Sequence, residues 1–301
     1  MTLAMTRRPP RPAAGFTLIE AIVAMVITGI LVAVVFTFMV NPVQSYFDSV
    51  RRAELTDTAD VALRRIARDV RLALPNSLQQ TGATSFEFIL TKAGGRYRDP
   101  ADGSIDGNFL DFTGALSNPS CPGTPSSCFD VLGTMPANPA IAVNDYVVVY
   151  NLGAGYDPTN AYLRDSARCD ATPVSPGCNI ARVSGIAGNV LTLDANPFAL
   201  QSPPLPSPDA RFQVVGQNDK VVRYTCAANV LTRHSGCDFN NTSAGCTAAV
   251  LAGSSGTSAA CSIDYTSSAM GRNGLLYIQL TLTSGGESVT LFQQIAVDNA
   301  P

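Results

Sequence analysis

The sequence predicts an α+β chain: a long N-terminal helical spine packed on a C-terminal antiparallel β-sheet head with long disulfide-tied loops. Three observations carry that prediction. Residues 16–40 form an apolar run, residues 55–73 place apolar side chains at helical spacing, and the chain beyond Pro75 alternates short β-rich runs with Gly/Pro/Ser turns. The corresponding divisions are a leader at 1–15, an apolar helix at 16–40, an amphipathic helix at 41–74 and a β-rich head at 75–301.

The apolar run is long enough to cross a bilayer core of ~30 Å at ~1.5 Å per residue. Arg7, Arg8 and Arg11 precede it, which keeps the leader cytoplasmic and sends the head to the periplasm. No small-residue cleavage site follows the run, so it does not read as a removable secretory signal. Glu20 is its one ionisable residue. A carboxylate at the centre of a membrane helix costs ~2.5–3.5 kcal/mol on insertion scales, and a position near the helix start softens that cost. With no partner inside the segment, the partner is inferred to be another subunit.

Pro42 lacks an amide hydrogen, so a kink or break is expected near Asn41-Pro42. Beyond it, Leu55, Ala59, Ala62, Leu63, Ile66, Val70 and Ala73 form one apolar stripe of a second helix. Asp60 and Arg64 stand four apart in the favourable order, and arginines crowd the remaining face. That face reads first as a solvated surface and second as a binding site for anionic lipid or DNA. Leu74-Pro75-Asn76 ends the helix. At ~1.5 Å per residue the combined helical unit reaches ~85–90 Å, more than one domain needs.

In the head, strands are expected at 85–90, 145–150, 180–183, 190–193, 211–215, 221–226, 230–233, 275–283 and 288–297. Residues 221–233 read as a hairpin around Ala227-Ala228-Asn229, and Ser284-Gly285-Gly286-Glu287 joins the clearest one. The stretches 114–140, 153–178, 196–210 and 234–260 read as surface loops too polar to build a core.

Only 14% of residues are charged and the net charge is −3, which supplies no electrostatic reason for nucleic acid to be the main ligand. Eight cysteines in Gly/Ser-rich sequence, without a C-x-x-C, read as disulfides made in an oxidising compartment rather than as a zinc site. Cys121 and Cys128 bracket one Pro/Gly loop and are expected to pair, as are Cys169 and Cys178, which bracket another. In a tight 221–233 hairpin, Cys226 sits beside the turn and Cys237 beyond the far strand end, so those two are too far apart to bond. Cys226 therefore pairs with Cys261, on a plausible strand at 262–265, and Cys237 with Cys246.

His234 is the only histidine and stands in loop-like sequence with no Ser/Asp constellation visible nearby, so it reads as a surface residue and the chain as a non-enzyme. Asp102-Gly103-Ser104-Ile105-Asp106-Gly107-Asn108, flanked by Asp99 and Asp111, partly follows a calcium loop. Thr113 stands where the bidentate glutamate belongs, and Asp/Gly turn chemistry accounts for the pattern without metal. No cofactor is expected, with calcium at Asp102, Ser104 and Asp106 as the secondary reading.

Gly15-Phe16-Thr17-Leu18-Ile19-Glu20, followed by the apolar helix, resembles the prepilin motif of type IV pilins and type II secretion pseudopilins. The resemblance implies that a prepilin peptidase cuts between Gly15 and Phe16 and methylates the new Phe16 amine. It also implies that Glu20 pairs with the amine of a neighbouring subunit during assembly. Leu74-Pro75-Asn76-Ser77, Val222-Arg223-Tyr224-Thr225-Cys226 and the ending from Gln293 to Pro301 resemble minor pilins of the mannose-sensitive haemagglutinin (MSHA) biogenesis type. They are similar more loosely to PilW-type minor pilins and the J-type secretion pseudopilin. The implied partners are the peptidase, other major and minor pilins, the inner-membrane assembly platform and, before assembly, inner-membrane lipid. The implied location is the inner membrane and then the pilus or cell surface. A secretion pseudopilin, or a tip subunit binding a surface or DNA, stands as the alternative.

Overall fold

The computed structural model describes residues 15–100, 106–123, 125–165, 169, 177–239, 246–267 and 273–301. The chain divides into two compact units, residues 1–51 and 52–301. One helix, α1 (Leu18–Val70), contributes to both. Pro42 lies inside it, and the helix continues through that position rather than breaking there. The missing proline amide removes one i→i−4 bond, while the turns on either side keep the helical path. Helix geometry ends where Leu72 and Ala73 donate to the carbonyls of Asp69 and Val70, just before Pro75.

The strands are β1 (Gln79–Gly82), β2 (Ser85–Ile89), β3 (Thr91–Tyr97), β4 (Cys128–Leu132), β5 (Tyr146–Val148), β6 (Ile180–Ala187) and β7 (Val190–Leu193). They continue as β8 (Arg211–Val215), β9 (Val221–Ala227), β10 (Val230–Cys237), β11 (Thr247–Ala252), β12 (Ser258–Ser267), β13 (Asn273–Ser284) and β14 (Glu287–Asp298). A five-stranded sheet runs β1-β2-β9-β10-β11, and a three-stranded sheet runs β12-β13-β14. Strands β3 to β8 close into a barrel in the order β3-β4-β7-β6-β5-β8. β2 and β9 are hydrogen-bonded neighbours, so the whole barrel is an insertion between two adjacent strands of the larger sheet.

Three apolar clusters follow from this topology. The first joins Leu55, Ala59, Ala62, Leu63, Ile66 and Val70 of α1 to Phe86, Tyr224, Leu276 and Leu280 of the two open sheets. The helix stripe therefore buries against both sheets, as its spacing requires. The second fills the barrel with Tyr97, Phe112, Phe129, Phe198 and Phe212. The third lies between barrel and sheet and includes Leu74, Ile89, Val148, Val215 and Phe239.

Several stretches expected as surface loops prove to be structural. Cys128, Phe129 and Val131 of β4 are buried in the 114–140 stretch, and so is Phe198 in the 196–210 stretch. Ala161 is buried in the 153–178 stretch, and β11 and the start of β12 occupy the 234–260 stretch. Isolated aromatic and aliphatic residues in polar surroundings fill the barrel, and the polar residues around them hid that role.

Four disulfide pairs tie the head: Cys121–Cys128, Cys169–Cys178, Cys226–Cys261 and Cys237–Cys246, with Cα separations of 6.0, 5.4, 5.9 and 4.5 Å. The β9–β10 register explains the third pair. Its two-residue turn, Ala228-Asn229, has positive φ at both positions, and Cys226 faces Leu231 while Cys237 faces Val221 at the far end. Cys226 is thereby kept from Cys237 and bridges instead to β12.

Candidate functional site

The N-terminal segment is built around the start of α1. Thr17 precedes the helix, and its Oγ1 accepts from the backbone N–H of Glu20 at 3.3 Å. The Thr17 hydroxyl in turn donates to the Glu20 carboxylate at 3.4 Å. Thr17-Leu18-Ile19-Glu20 is thus an N-terminal capping arrangement of the Thr-x-x-Glu kind, which fixes where the helix begins. That signal was present in the sequence and gives Glu20 a second, local role. Gly15 has no neighbour within 4 Å of the position a Cβ would take, and Phe16 is 74% exposed. Cleavage chemistry at Gly15–Phe16 would therefore meet an open backbone.

The helix beyond presents large apolar side chains to its surroundings over most of its circumference. Ile19, Ile22, Met25, Ile30, Val34 and Phe38 are all exposed. Exposed apolar area on that scale needs lipid or protein to cover it. Length and composition suit a membrane span, and Glu20 is in its first turn.

Residues 10–36 match the model of the prokaryotic N-terminal methylation motif. The motif supports a type IV pilin-like prepilin. Comparison with curated proteins and with solved structures returned no match. A prepilin N-terminus implies processing by a prepilin peptidase and interaction with other pilins. Together with the apolar helix it fits inner-membrane anchoring, and proteins built on this motif are structural rather than enzymatic.

In the head, Asp111, Asn108 and His234 find structural explanations. Asp102 and Ser104 lie outside the described residues. Among the described residues no cluster of His, Cys, Asp or Glu is arranged to hold a metal ion. Asp111 is fully buried and accepts from the amides of Thr113, Gly114, Leu116 and Ser126, so its carboxylate organises a turn. Asn108 donates to Ser120 and Asp130. His234 lies on β10 rather than in a loop, with its Nε2 3.0 Å from Thr225 Oγ1. Burial, and then the nearby Arg223 charge, lowers its pKa below the usual histidine value.

A polar network in the head centres on Asp69, which the sequence did not single out. Its carboxylate accepts from Arg233 Nε at 2.6 Å and from the Tyr224 hydroxyl at 2.8 Å, stapling α1 to β9 and β10. Burial, and then the Asp69 charge, pushes the Tyr224 phenol well up, so it stays a proton donor. A second pair, Glu87 with Arg223, joins β2 to β9 through two contacts of 2.9 and 2.7 Å. At the barrel–sheet junction, a cavity of about 490 Å³ is lined by Leu72, Leu90, Lys92, Asp145 and Asp219. There Lys92 Nζ lies 2.7 Å from the buried Asp145.

Proposed function

We propose that the chain is a minor pilin subunit, cut between Gly15 and Phe16, N-methylated at Phe16, and used to initiate or cap a type IV pilus of the MSHA kind. The observation that carries this reading is the coincidence of the methylation motif with an unsheltered apolar helix whose first turn holds Glu20. Assembly would bury that helix among other pilin helices, and Glu20 would meet a neighbouring Phe16 amine. At ~4 Å and an effective dielectric near 20, such a pair attracts by ~4 kcal/mol, and a misaligned neighbour would leave the carboxylate unpaired. The barrel inserted between β2 and β9 supports a place at the end of the filament, where an enlarged head has room.

Mass spectrometry of protein from the native host tests the processing step. The expected mature N-terminus is N-methyl-Phe16, and an intact leader would sink the proposal. Glu20→Ala is expected to leave insertion and head melting unchanged while incorporation into filaments falls at least about tenfold, well within a ~4 kcal/mol interaction. Glu20→Gln should behave alike. Thr17→Ala separates the two roles of Glu20, because it removes the helix cap and keeps the charge. Equal loss with Thr17→Ala would assign Glu20 to capping instead.

A second reading, a head that binds an external surface, draws on the barrel insertion and the junction cavity.

A further inference from the structure

The three-stranded sheet has one closed edge and one open edge. Along β12, the amides of Ala259 and Ile263 donate to the carbonyls of Asn229 and Ala83, and Gln80 donates to the Ile263 carbonyl, so the larger sheet covers that side. β14 pairs with β13 alone, through twelve residues without a register shift. Ser284 and Glu287 close the Gly285-Gly286 turn as a directly bonded pair, so Val289, Leu291, Gln293 and Ile295 spend their amides and carbonyls on β13. Those of Ser288, Thr290, Phe292, Gln294 and Ala296 point to the open edge, where no other described segment bonds them. Open edges are usually short, bulged, or guarded by Lys or Pro. β1 and β11, at the two edges of the larger sheet, are only four and six residues long, and a register shift interrupts the pairing of each. Between Glu287 and Asp298, β14 carries neither a charge nor a proline.

The head portion of α1 runs beside β14, with Arg52 paired to Glu287. Further along, a groove of about 530 Å³ is lined by Arg64, Ala67, Arg68, Arg71, Leu72 and Gln293. Arg64 is paired with Asp60, whereas among the described residues neither Arg68 nor Arg71 meets a carboxylate. Gln293 Oε1 is buried with no hydrogen-bond partner among the described residues. On the other face of the sheet, Phe292 is 70% exposed and stacks on Tyr277, and Leu275 is exposed beside them. We infer that β14 accepts an added strand from another protein, an extended segment in which acidic and apolar residues alternate. Its backbone completes the open ladder from Ser288 to Ala296. Its acidic side chains, all on one face, reach Arg68 and Arg71, and its apolar side chains lie against Phe292 and Tyr277 on the other. A second copy of this chain fits less well. Pairing β14 with its own counterpart about a two-fold axis puts both helices on one face and opposes their arginines. All these residues belong to the head, so the inference goes beyond the filament reading and does not depend on it.

Binding of labelled peptides to the full chain in detergent, followed by fluorescence anisotropy, tests this. The probes are a peptide of about eight residues alternating Asp with Val and its counterpart alternating Lys with Val, long enough to span the open ladder. The Asp/Val peptide is expected to bind at least about tenfold more tightly, the difference between attractive and repulsive contacts at two exposed arginines. Arg68→Glu with Arg71→Glu should reverse that preference. Gln294→Pro removes an amide that β13 does not use, so the hairpin survives while peptide affinity falls at least about tenfold. Residue-resolved hydrogen exchange supplies a readout specific to strand addition. Bound Asp/Val peptide should slow exchange at Ser288, Thr290, Phe292 and Gln294, and leave Val289, Leu291 and Gln293, already bonded to β13, unchanged. Binding without that alternating protection, equal binding of the two peptides, or no binding of the Asp/Val peptide at millimolar concentration would each overturn the inference. Protection of the same edge amides that grows with protein concentration alone would overturn it too, assigning the edge to a second copy. Phosphatidylserine vesicles that bind through Arg68 and Arg71, with no such protection by peptide, would give the arginines to lipid instead.

Discussion

Residues 18–39 and residues 52–70 belong to one helix, yet they solve opposite problems. The first stretch is apolar on nearly every side and buries almost none of that surface within its own chain. The second confines its apolar residues to one stripe and buries it fully, with Ala59 and Ile66 essentially inaccessible. Polar groups differ in the same way. Glu20 has a local hydroxyl and an exposed carboxylate, whereas Asp69 is saturated by Arg233 and Tyr224. The first stretch leaves its apolar surface uncovered, and the second buries its apolar stripe in its own fold. A single helix can therefore expose apolar surface at one end and bury it at the other without the two sets of residues overlapping.

The most severe way to break that division is to attack Asp69. Asp69→Ala leaves the Arg233 guanidinium and the Tyr224 hydroxyl buried without their acceptor, and should cost the head ~3–5 kcal/mol. Denaturant unfolding of the full chain in detergent, followed by a head-specific signal, measures it. Ile30→Ala is the control, removing an exposed apolar side chain from the first stretch, and should leave the head transition where it was. A shift with Ile30→Ala similar to that with Asp69→Ala would end the separation of roles.

A smaller effect comes from the bridge between the two sheets on which the second stretch packs. Cys226–Cys261 joins β9 to β12 across a sequence separation of 35. In the chain-entropy model, replacing both by serine should cost ~3–4 kcal/mol at most, against ~2–3 for Cys121–Cys128 with its separation of 7. Paired thermal unfolding of the two double variants checks the order. A larger loss from the short loop would place the weight of the head's stability in the barrel rather than under the helix.

These regions also differ in how legibly the sequence wrote them. The helix stripe was readable because its period of 3.6 is local, and the β13–β14 hairpin because alternation runs unbroken on both sides of Gly285-Gly286. The Gly15–Glu20 motif is contiguous, so its chemistry needs no folding to be seen. Strands β5 to β8 of the barrel were expected, but β3, β4 and the closure were not legible, for the converse reason. β4 is short and stands among Pro/Gly loops, and closure depends on β3 meeting β8 across more than a hundred residues. Asp69 escaped notice likewise, since its partners lie 155 and 164 positions away and it looked like one more charge on a polar helix face.

The smallest expected effect tests whether the sheet beneath the helix senses pH. His234 sits on β10 opposite Arg223, whose guanidinium is held by Glu87, and its Nε2 meets Thr225 Oγ1. Its pKa is lowered in the folded chain, first by burial and then by Arg223. The unfolded chain, with an ordinary histidine pKa near 6.5, therefore binds the proton more readily than the folded one. Stability must rise with pH from the folded pKa up to about 6.5 and lie flat above that. The Thr225 contact does not oppose this, because the hydroxyl can donate to neutral imidazole or accept from the charged ring. Partial exposure keeps the effect modest. His234→Gln retains a polar group of similar reach and cannot titrate there. Denaturant midpoints at pH 5 and pH 7.5 should differ less in His234→Gln than in the parent chain, with the parent losing stability at the lower pH. An equal difference in both proteins would remove His234 as the source of the acid sensitivity.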